Sequence, residues 1–184
     1  PAGVGAMAAL LGRADDTGAD VCAQAANDEV VEPVNFNSPG QVVIAGNTAA
    51  VERAITLAKE AGAKRAVMLP VSVPSHCALM QTAAEQFALT LADTVINAPV
   101  IPVVQNVDAA MHEQPEAIRE NLARQICMPV LWVSSVQNMQ AQGVTRMLEM
   151  GPGKVLTGLC KRIDKTIDNS AVFDPASLAA ALAG

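Results

Sequence analysis

The chain has 184 residues, of which 51% are hydrophobic, 16% are charged and only 2% are aromatic. This composition excludes a disordered tail and indicates a core built from aliphatic side chains. A net charge of -6, with no long run among the 12 lysines and arginines, argues against a nucleic-acid partner. Neither a membrane-spanning apolar run nor a signal peptide is visible, so the sequence predicts a cytoplasmic protein that does not enter a membrane.

The first 70 residues are predicted to contain six elements in the order β-α-β-β-α-β. These elements are a strand at 5–11, a helix at 16–26, strands at 30–37 and 41–46, a helix at 47–61 and a strand at 64–69. Asp16 and Asn47 are placed to cap the two helices, and Gly62 is placed to end the second. This order is typical of a ferredoxin-like domain, in which two helices cover one face of a four-stranded antiparallel sheet.

Pro70 and Pro74 interrupt this pattern and mark a predicted boundary between a domain at 1–70 and a domain at 71–184. The second half alternates strands and helices as α/β layers do, but it has too few strands for a complete sheet. Its predicted elements are a helix at 77–92 capped by Ser75, a buried parallel strand at 100–105, helices at 115–127 and 131–141, a strand at 144–150, a helix at 154–162 and a terminal helix from Pro175.

The cysteine spacing gives no sign of a metal site. The chain has four cysteines, Cys22, Cys77, Cys127 and Cys160. They form no Cys-x-x-Cys pair, and no histidine lies at metal-ligand spacing from them. The sequence therefore predicts reduced, mostly buried thiols and no bound metal.

His76 is one of only two histidines and lies at a predicted strand-to-helix junction. In the first turn of a helix, the positive end of the macrodipole disfavours imidazolium and keeps the ring able to accept a proton. That environment suits a general base, although a histidine that only satisfies local backbone groups fits the same position. No Gly-x-Ser-x-Gly nucleophile elbow occurs in the chain. His112 lies in a polar connection and is predicted to be a solvated loop residue without a role.

Strand alternation is expected to place Asn35 and Asn37 on one face and Val34 and Phe36 on the other. Two amides that face a cleft could orient a polar substrate. The alternative is turn chemistry, because Ser38-Pro39-Gly40 follows directly.

The segment Gly151-Pro152-Gly153-Lys154 is a glycine-rich turn between a predicted strand and a predicted helix. It is not a phosphate loop, because Leu148 and Val155 stand where the Walker A pattern requires a glycine and a serine or threonine. Such turns are nevertheless common ligand sites in α/β proteins.

Four motifs in one order, at 5–9, 33–46, 70–76 and 151–156, extend over nearly the whole chain. With these motifs the sequence resembles the malonyl-CoA:acyl-carrier-protein transacylases, the stand-alone bacterial enzymes that load malonyl groups for fatty acid synthesis. The resemblance implies an α/β fold, with a ferredoxin-like small domain inserted in an α/β-hydrolase-like large domain, of which this chain would hold the C-terminal part.

The resemblance also implies a ping-pong reaction without a cofactor, since the coenzyme A thioester is itself the substrate. A serine takes malonyl from coenzyme A and passes it to the phosphopantetheine thiol of acyl carrier protein. His76 matches the catalytic histidine, and Gln125 matches the residue whose backbone carbonyl holds the histidine ring. Asn35 and Asn37 remain candidates for substrate binding.

Several family residues have no counterpart in this chain. In the family, the elbow serine, the arginine that pairs with the malonyl carboxylate and an N-terminal glutamine all lie upstream of the matching region. The chain alone is therefore predicted to be inactive, and the missing N-terminal part of the same enzyme is a predicted partner. Because carrier protein is acidic, the candidates for docking are basic, namely Lys64, Arg65, Lys154, Lys161 and Arg162.

Two alternatives remain open at this point. One is the acyltransferase domain of a polyketide synthase, which long flanking ketosynthase or carrier sequences in the parent gene would reveal. The choice of acyl group is a separate open point, because Ser75 directly before the histidine leaves room for a branched methylmalonyl unit. The other is a non-catalytic module that binds carrier protein or coenzyme A, because fold alone does not determine function.

Overall fold

The structure is a computed structural model that describes residues 5–12, 15–71 and 73–183. It is a mixed α/β protein, which confirms the predicted class at this level. Its elements are β1 Gly5–Leu11, α1 Asp15–Ala25, β2 Val31–Ser38, β3 Gln41–Asn47, α2 Thr48–Glu60, β4 Arg65–Met68, α3 Gln81–Ala92, α4 Pro115–Arg124, α5 Trp132–Ala141, β5 Arg146–Met150, α6 Val155–Ile163, β6 Asp168–Val172 and α7 Pro175–Ala183.

The first four strands form one antiparallel sheet in the order β2-β3-β1-β4. Strand alternation gives this sheet two buried faces, because successive side chains point to opposite sides. On one face Ala8 and Ile44 pack with alanines of α2, while on the other Met7 and Val43 pack with Cys77. The six predicted elements of this half are all present, and α1 begins at Asp15, one residue before the predicted Asp16 cap.

The prediction of a helix starting at Cys77 with a Ser75 cap is wrong. A short 3-10 turn occupies Ala78–Met80, and α3 begins only at Gln81. His76 has a φ of 68°, in the left-handed region, and this reverses the chain before any helix forms. The local pattern of small and apolar residues gives no sign of this turn, because contacts with residues distant in sequence hold it.

The predicted buried strand at 100–105 is also wrong. Val100 is 99% exposed and Ile101 is 76% exposed, and the only pairing in this segment is an isolated bridge between Val104 and Met111. An apolar run forms a strand only where a neighbouring strand accepts its hydrogen bonds, and no described strand lies beside this one.

The second sheet has two parallel strands, β5 and β6, with α6 as the connection between them. The sequence missed β6 because Asp168, Asn169 and Ser170 are not typical strand residues. Helix α4 ends at Arg124, three residues earlier than predicted, and α5 ends as predicted before Gly143, whose φ of 90° favours glycine. The division into domains at residue 70 stays a prediction.

All four cysteines are free, and three of them are buried as expected. Burial, with a smaller contribution from Glu32, raises the pKa of Cys22 to about 12, which keeps that thiol protonated. Among the described residues, no helix has both the length and the apolar character needed to cross a membrane.

Candidate functional site

The structure brings His76 and Gln125 together although 49 positions separate them in the sequence. The ring nitrogen Nδ1 of His76 lies 2.6 Å from the backbone carbonyl oxygen of Gln125. The backbone N–H of His76 also donates to the carbonyl oxygen of Ile126, at 3.1 Å. Two consecutive carbonyl groups therefore hold the histidine, one by its ring and one by its backbone.

These two carbonyl groups belong to the end of α4. The last carbonyl groups of a helix have no partner within the helix, so they are free to accept hydrogen bonds from elsewhere. Since α4 ends at Arg124, Gln125 and Ile126 lie at its C-terminal, electronegative end. The sequence predicts His76 at the positive end of a helix, whereas in the structure the ring faces a negative one.

The contact with Gln125 determines which ring nitrogen of His76 carries hydrogen. A carbonyl oxygen only accepts, so Nδ1 must be the donor in this 2.6 Å contact. In the neutral ring, Nε2 then holds the lone pair. Within residues 5–12, 15–71 and 73–183, Nε2 has no hydrogen-bond partner. The arrangement therefore presents a proton acceptor at Nε2, as general-base chemistry requires.

The segment around His76 is fixed to the sheet on both sides. Pro74 lies directly against Gly5 of β1, where any side chain would overlap the proline ring. The Cys77 side chain is fully buried on the sheet face formed by Met7 and Val43. The backbone N–H of Ala78 then donates to a carboxylate oxygen of Glu32, at 3.1 Å. The His76 backbone is thus held by packing as well as by hydrogen bonds.

The chain that follows Gln125 is attached to the same sheet. Val130 pairs with the outer edge of β2: its N–H donates to the Val34 carbonyl at 2.8 Å, and its carbonyl accepts from the Phe36 N–H at 3.0 Å. Both the His76 segment and the chain that follows α4 are therefore hydrogen-bonded to β2.

The prediction that Val34 and Phe36 share a face is wrong. Pairing in β2 shifts between Pro33 and Asn35 and again between Phe36 and Ser38. Each shift inserts an extra residue and breaks the alternation. Val34 consequently packs with Cys77, whereas Phe36 packs against the helix-covered core.

The same shifts separate the two candidate amides. Asn35 pairs with Val43, whose side chain lies on the Cys77 face, so the register directs Asn35 toward the same face. Asn37 lies within the second shift, where no register partner fixes its side. Of the two asparagines, only Asn35 is placed by the register on the face next to His76.

The turn at 151–154 is already occupied by a carboxylate of the protein. Glu149 accepts hydrogen bonds from the backbone N–H of Thr157 at 2.7 Å and from its hydroxyl at 2.8 Å. Desolvation alone would raise the pKa of Glu149, but these hydrogen bonds outweigh it and hold the pKa below its ordinary value. The N-terminus of α6 is therefore capped internally. Lys154, in the turn itself, lies 5.7 Å from the centre of the Phe173 ring.

The five basic candidates for docking are all exposed, but they differ in their contacts. Arg162 donates from Nη1 to the Gln41 side chain at 2.7 Å and so links α6 to β3. Lys64 and Arg65 lie at the start of β4, and Lys161 lies in the last turn of α6.

His112 lies in a loop as predicted, but it is not freely solvated. Its Nε2 lies 2.7 Å from a carboxylate oxygen of Asp108, and both side chains are partly buried. Sequence reasoning also missed Asp108 and Asn121, whose side chains are 2.7 Å apart. The i, i+4 spacing of Asp108 and His112 was the available signal, but a loop gives such spacing no fixed meaning.

A family model described as the acyl transferase domain matches residues 2–180. The chain belongs to the acyl transferase domain family. Within this family, it is 57% identical over 182 residues to the malonyl CoA-acyl carrier protein transacylase of Escherichia coli K12, covering 99% of this chain and 59% of the relative. The Bacillus subtilis 168 protein of the same name is 41% identical, with 99% of this chain and 58% of the relative covered.

Solved structures of acyltransferases agree with this fold closely. The acyl carrier protein S-malonyltransferase of Vibrio cholerae superposes with a TM-score of 0.97 at 60% identity, covering 98% of this chain and 59% of that chain. A solved complex of a type II polyketide acyl-carrier protein with its malonyl-transacylase contains a chain that matches with a TM-score of 0.98 at 51% identity, covering 100% of this chain and 59% of that chain. The chain thus spans about three fifths of the length of these relatives.

Proposed function

We propose that the chain forms part of a malonyl-CoA:acyl-carrier-protein transacylase of fatty acid biosynthesis. The observation that carries the proposal is the His76–Gln125 contact, which leaves Nε2 of the ring free to accept a proton. The relatives named malonyl CoA-acyl carrier protein transacylase support the choice of reaction. His76 is the proposed general base and acid, and the Gln125 backbone carbonyl is its orienting group.

The proposed reaction proceeds in two halves. In the first, Nε2 takes the proton of a serine hydroxyl contributed from outside this chain, and the serine oxygen attacks the thioester carbonyl of malonyl-CoA. The bond to sulfur breaks, and the coenzyme A thiolate receives the proton from Nε2. In the second half, Nε2 deprotonates the phosphopantetheine thiol of acyl carrier protein. The thiolate attacks the serine ester, and the serine recovers its proton.

Gln125 supports both halves without taking a proton. When Nε2 is protonated, the ring becomes a cation, and the carbonyl at the negative end of α4 lies 2.6 Å from Nδ1. An aspartate performs this orienting role in a full catalytic triad. A backbone carbonyl supplies the same direction but no full charge.

Several finer features belong to the same proposal. The β2-β3-β1-β4 order of the first sheet supports a ferredoxin-like small domain, and the parallel pair β5-β6 supports the C-terminal part of an α/β-hydrolase-like large domain. Asn35 is the stronger of the two candidates for substrate contact, since it lies on the Cys77 face. The proposed reaction uses no cofactor, takes place in the cytoplasm, and needs the N-terminal part of the enzyme.

The decisive experiment compares two alanine substitutions in the full-length protein. We expect His76→Ala to lower kcat by about 100- to 10,000-fold, the usual contribution of a general acid–base group. Gln125→Ala should change kcat by less than about threefold, because the backbone carbonyl survives the loss of the side chain. The measurement is malonyl transfer from malonyl-CoA to holo-acyl carrier protein.

A kcat loss in Gln125→Ala as large as that in His76→Ala would contradict the orienting role of the carbonyl. Normal turnover in His76→Ala would contradict the base itself. The isolated 184-residue chain should show no transfer, and transfer by it would exclude a nucleophile outside the chain.

The complex with a type II polyketide acyl-carrier protein favours a second candidate, a transacylase that also supplies a polyketide carrier protein. The reaction and the residues would be the same, and only the acceptor would differ. Comparing kcat/KM for carrier proteins of the two pathways separates the candidates. Binding of carrier protein without any turnover in the full-length protein would instead indicate a non-catalytic module.

A further inference from the structure

A partly buried polar cluster lies one helical turn before Gln125. It consists of Asp108 and His112 in the loop before α4, together with Asn121 in the last turns of α4. One carboxylate oxygen of Asp108 accepts from Asn121 Nδ2 and from His112 Nε2, both at 2.7 Å. The other accepts from the backbone N–H of Ala110, at 3.1 Å. Three donors therefore converge on one carboxylate.

Asn121 is the member of this cluster that reaches the site. Its side chain is only 4% exposed, and its amide nitrogen donates both to Asp108 and to Gln105 Oε1, each at 2.7 Å. Its amide oxygen accepts from Arg124, at 3.1 Å. Every hydrogen-bonding group of the amide is thus used, which fixes the side chain in one orientation.

The backbone of Asn121 connects this cluster to Gln125. The Asn121 carbonyl accepts the N–H of Gln125 at 2.9 Å, so the two residues form one closed turn. The carbonyl of Gln125 itself, four residues after that of Asn121, accepts from His76 Nδ1 instead of from the helix. A shift of Asn121 along the helix axis would move this carbonyl by a similar distance.

Asp108 provides the fixed end of this arrangement. Desolvation by burial opposes its ionisation, but hydrogen bonds from Asn121, His112 and Ala110 outweigh that effect and lower the pKa of Asp108. An ionised carboxylate is an acceptor only, so Asn121 must turn its NH₂ group toward Asp108 and its oxygen toward Arg124. The amide cannot flip without placing two acceptors against each other.

We propose that Asp108 and Asn121 are positioning residues, which hold the last turn of α4 so that the Gln125 carbonyl stays on Nδ1 of His76. Through that contact they keep the hydrogen of the neutral ring on Nδ1 and the lone pair on Nε2. The inference rests on the proposed function for its catalytic meaning, since it takes His76 as the base. The tautomer of His76, however, is measurable without any turnover.

The test uses the full-length protein with histidine labelled with nitrogen-15 in the ring. The nitrogen-15 NMR spectrum is recorded at a pH where the ring of His76 is neutral. The variant His76→Gln assigns the signal. In the unchanged protein we expect a single tautomer with hydrogen on Nδ1. In Asn121→Ala, which loses all side-chain contacts of the amide, we expect a mixture in which the Nε2–H form becomes detectable.

Asp108→Asn is the second variant and preserves the size of the side chain. A neutral amide offers one acceptor oxygen where the carboxylate receives three donors, so at least one contact is lost. We expect the same mixture of tautomers. If Asn121→Ala does not fold, the result for Asp108→Asn decides alone. Glu116→Ala is the control, because Glu116 is an exposed residue in the first turn of the same helix, away from Asn121 and Arg124, and should leave a single tautomer.

A single Nδ1–H tautomer in the folded variants would overturn the proposal, and so would an equal mixture in the Glu116→Ala control. Kinetics on the same proteins separate this inference from the proposed function. We expect kcat to fall by about 10- to 100-fold with little change in KM, as misplacement of a reacting group does. A changed tautomer with unchanged kcat would leave the positioning role intact and contradict His76 as the base.

Discussion

At the scale of single residues, the conformation of His76 is costly and is held from several sides. A φ of 68° lies in the left-handed region, which costs a residue with a side chain about 1 kcal/mol or more. The hydrogen bonds to Gln125 and Ile126 and the burial of Cys77 offset this cost. Strained residues of this kind persist where the surrounding structure fixes them, as at catalytic positions.

Glu149 illustrates a different residue-scale effect, because its carboxylate caps a helix from the end of a neighbouring strand. Its pKa is lower in the folded protein than the ordinary value of 4.5. The ionised form is therefore favoured by folding, so its stabilisation is complete above the unfolded pKa and is lost as the pH falls through the folded pKa.

We expect Glu149→Gln to reduce the acid sensitivity of the protein. The free energy of unfolding of the unchanged protein should fall relative to that of the variant as the pH drops below about 4.5, and the difference should be constant near neutral pH. Urea unfolding across this range measures both proteins. Parallel curves at all pH values would show that the contact with Thr157 does not depend on the charge of Glu149.

At the scale of elements, the position of the His76 segment depends on its contact with β1. Gly5 begins that strand, and Pro74 lies where a side chain would project from it. Gly158, in α6, has open space at the corresponding position. The two glycines therefore allow the same substitution to be made with opposite expectations.

We expect Gly5→Ala to lower the free energy of unfolding by about 1–3 kcal/mol, as overpacking does, and to reduce transfer activity by displacing the His76 segment. Gly158→Ala should raise stability by up to about 1 kcal/mol, because alanine is the better helix former. Urea unfolding and malonyl transfer by the two full-length variants provide the comparison. If Gly5→Ala were as stable and as active as Gly158→Ala, Pro74 would be able to shift without disturbing the site.

At the scale of the whole molecule, the described residues leave considerable apolar surface uncovered. Val100 and Ile101 are largely exposed to solvent. Met150, at the end of β5, and Val155, at the start of α6, are exposed as well. Parallel sheets are normally covered on both faces, and large exposed apolar patches mark interaction surfaces. The 184-residue chain is therefore expected to associate through these exposed apolar side chains.

We expect the isolated chain to bind a hydrophobic dye and to self-associate. Replacing Val100 and Ile101 together by serine should reduce dye binding without lowering the free energy of unfolding, since neither side chain is buried. The same change at Val51, which is fully buried, should lower stability and increase dye binding. Unchanged dye binding in the double variant would mean that the dye binds an exposed apolar surface other than Val100 and Ile101.

Local patterns in the sequence predicted many of the helices and strands of this structure. Alternation located the six elements of the first half, and Gly62 and Gly143 ended helices as expected, because these signals act within a few residues. Asn47 lies at the predicted N-cap of α2, but its side chain accepts from the N–H of Val30 at 2.9 Å and caps no N–H of the helix. Four ordered motifs indicated the acyltransferase family, and the family itself is confirmed. The resemblance to that family then singled out His76 and Gln125.

Tertiary structure alone decided how those residues are used. The apolar run at 100–105 forms no strand, and the shifts in β2 separate Asn35 from Asn37, because pairing depends on neighbours distant in sequence. The end of α4, rather than the start of α3, provides the electrostatic environment of His76. The sequence determined which residues are present at the site. Their geometry was decided by contacts across 49 positions, which no local periodicity encodes.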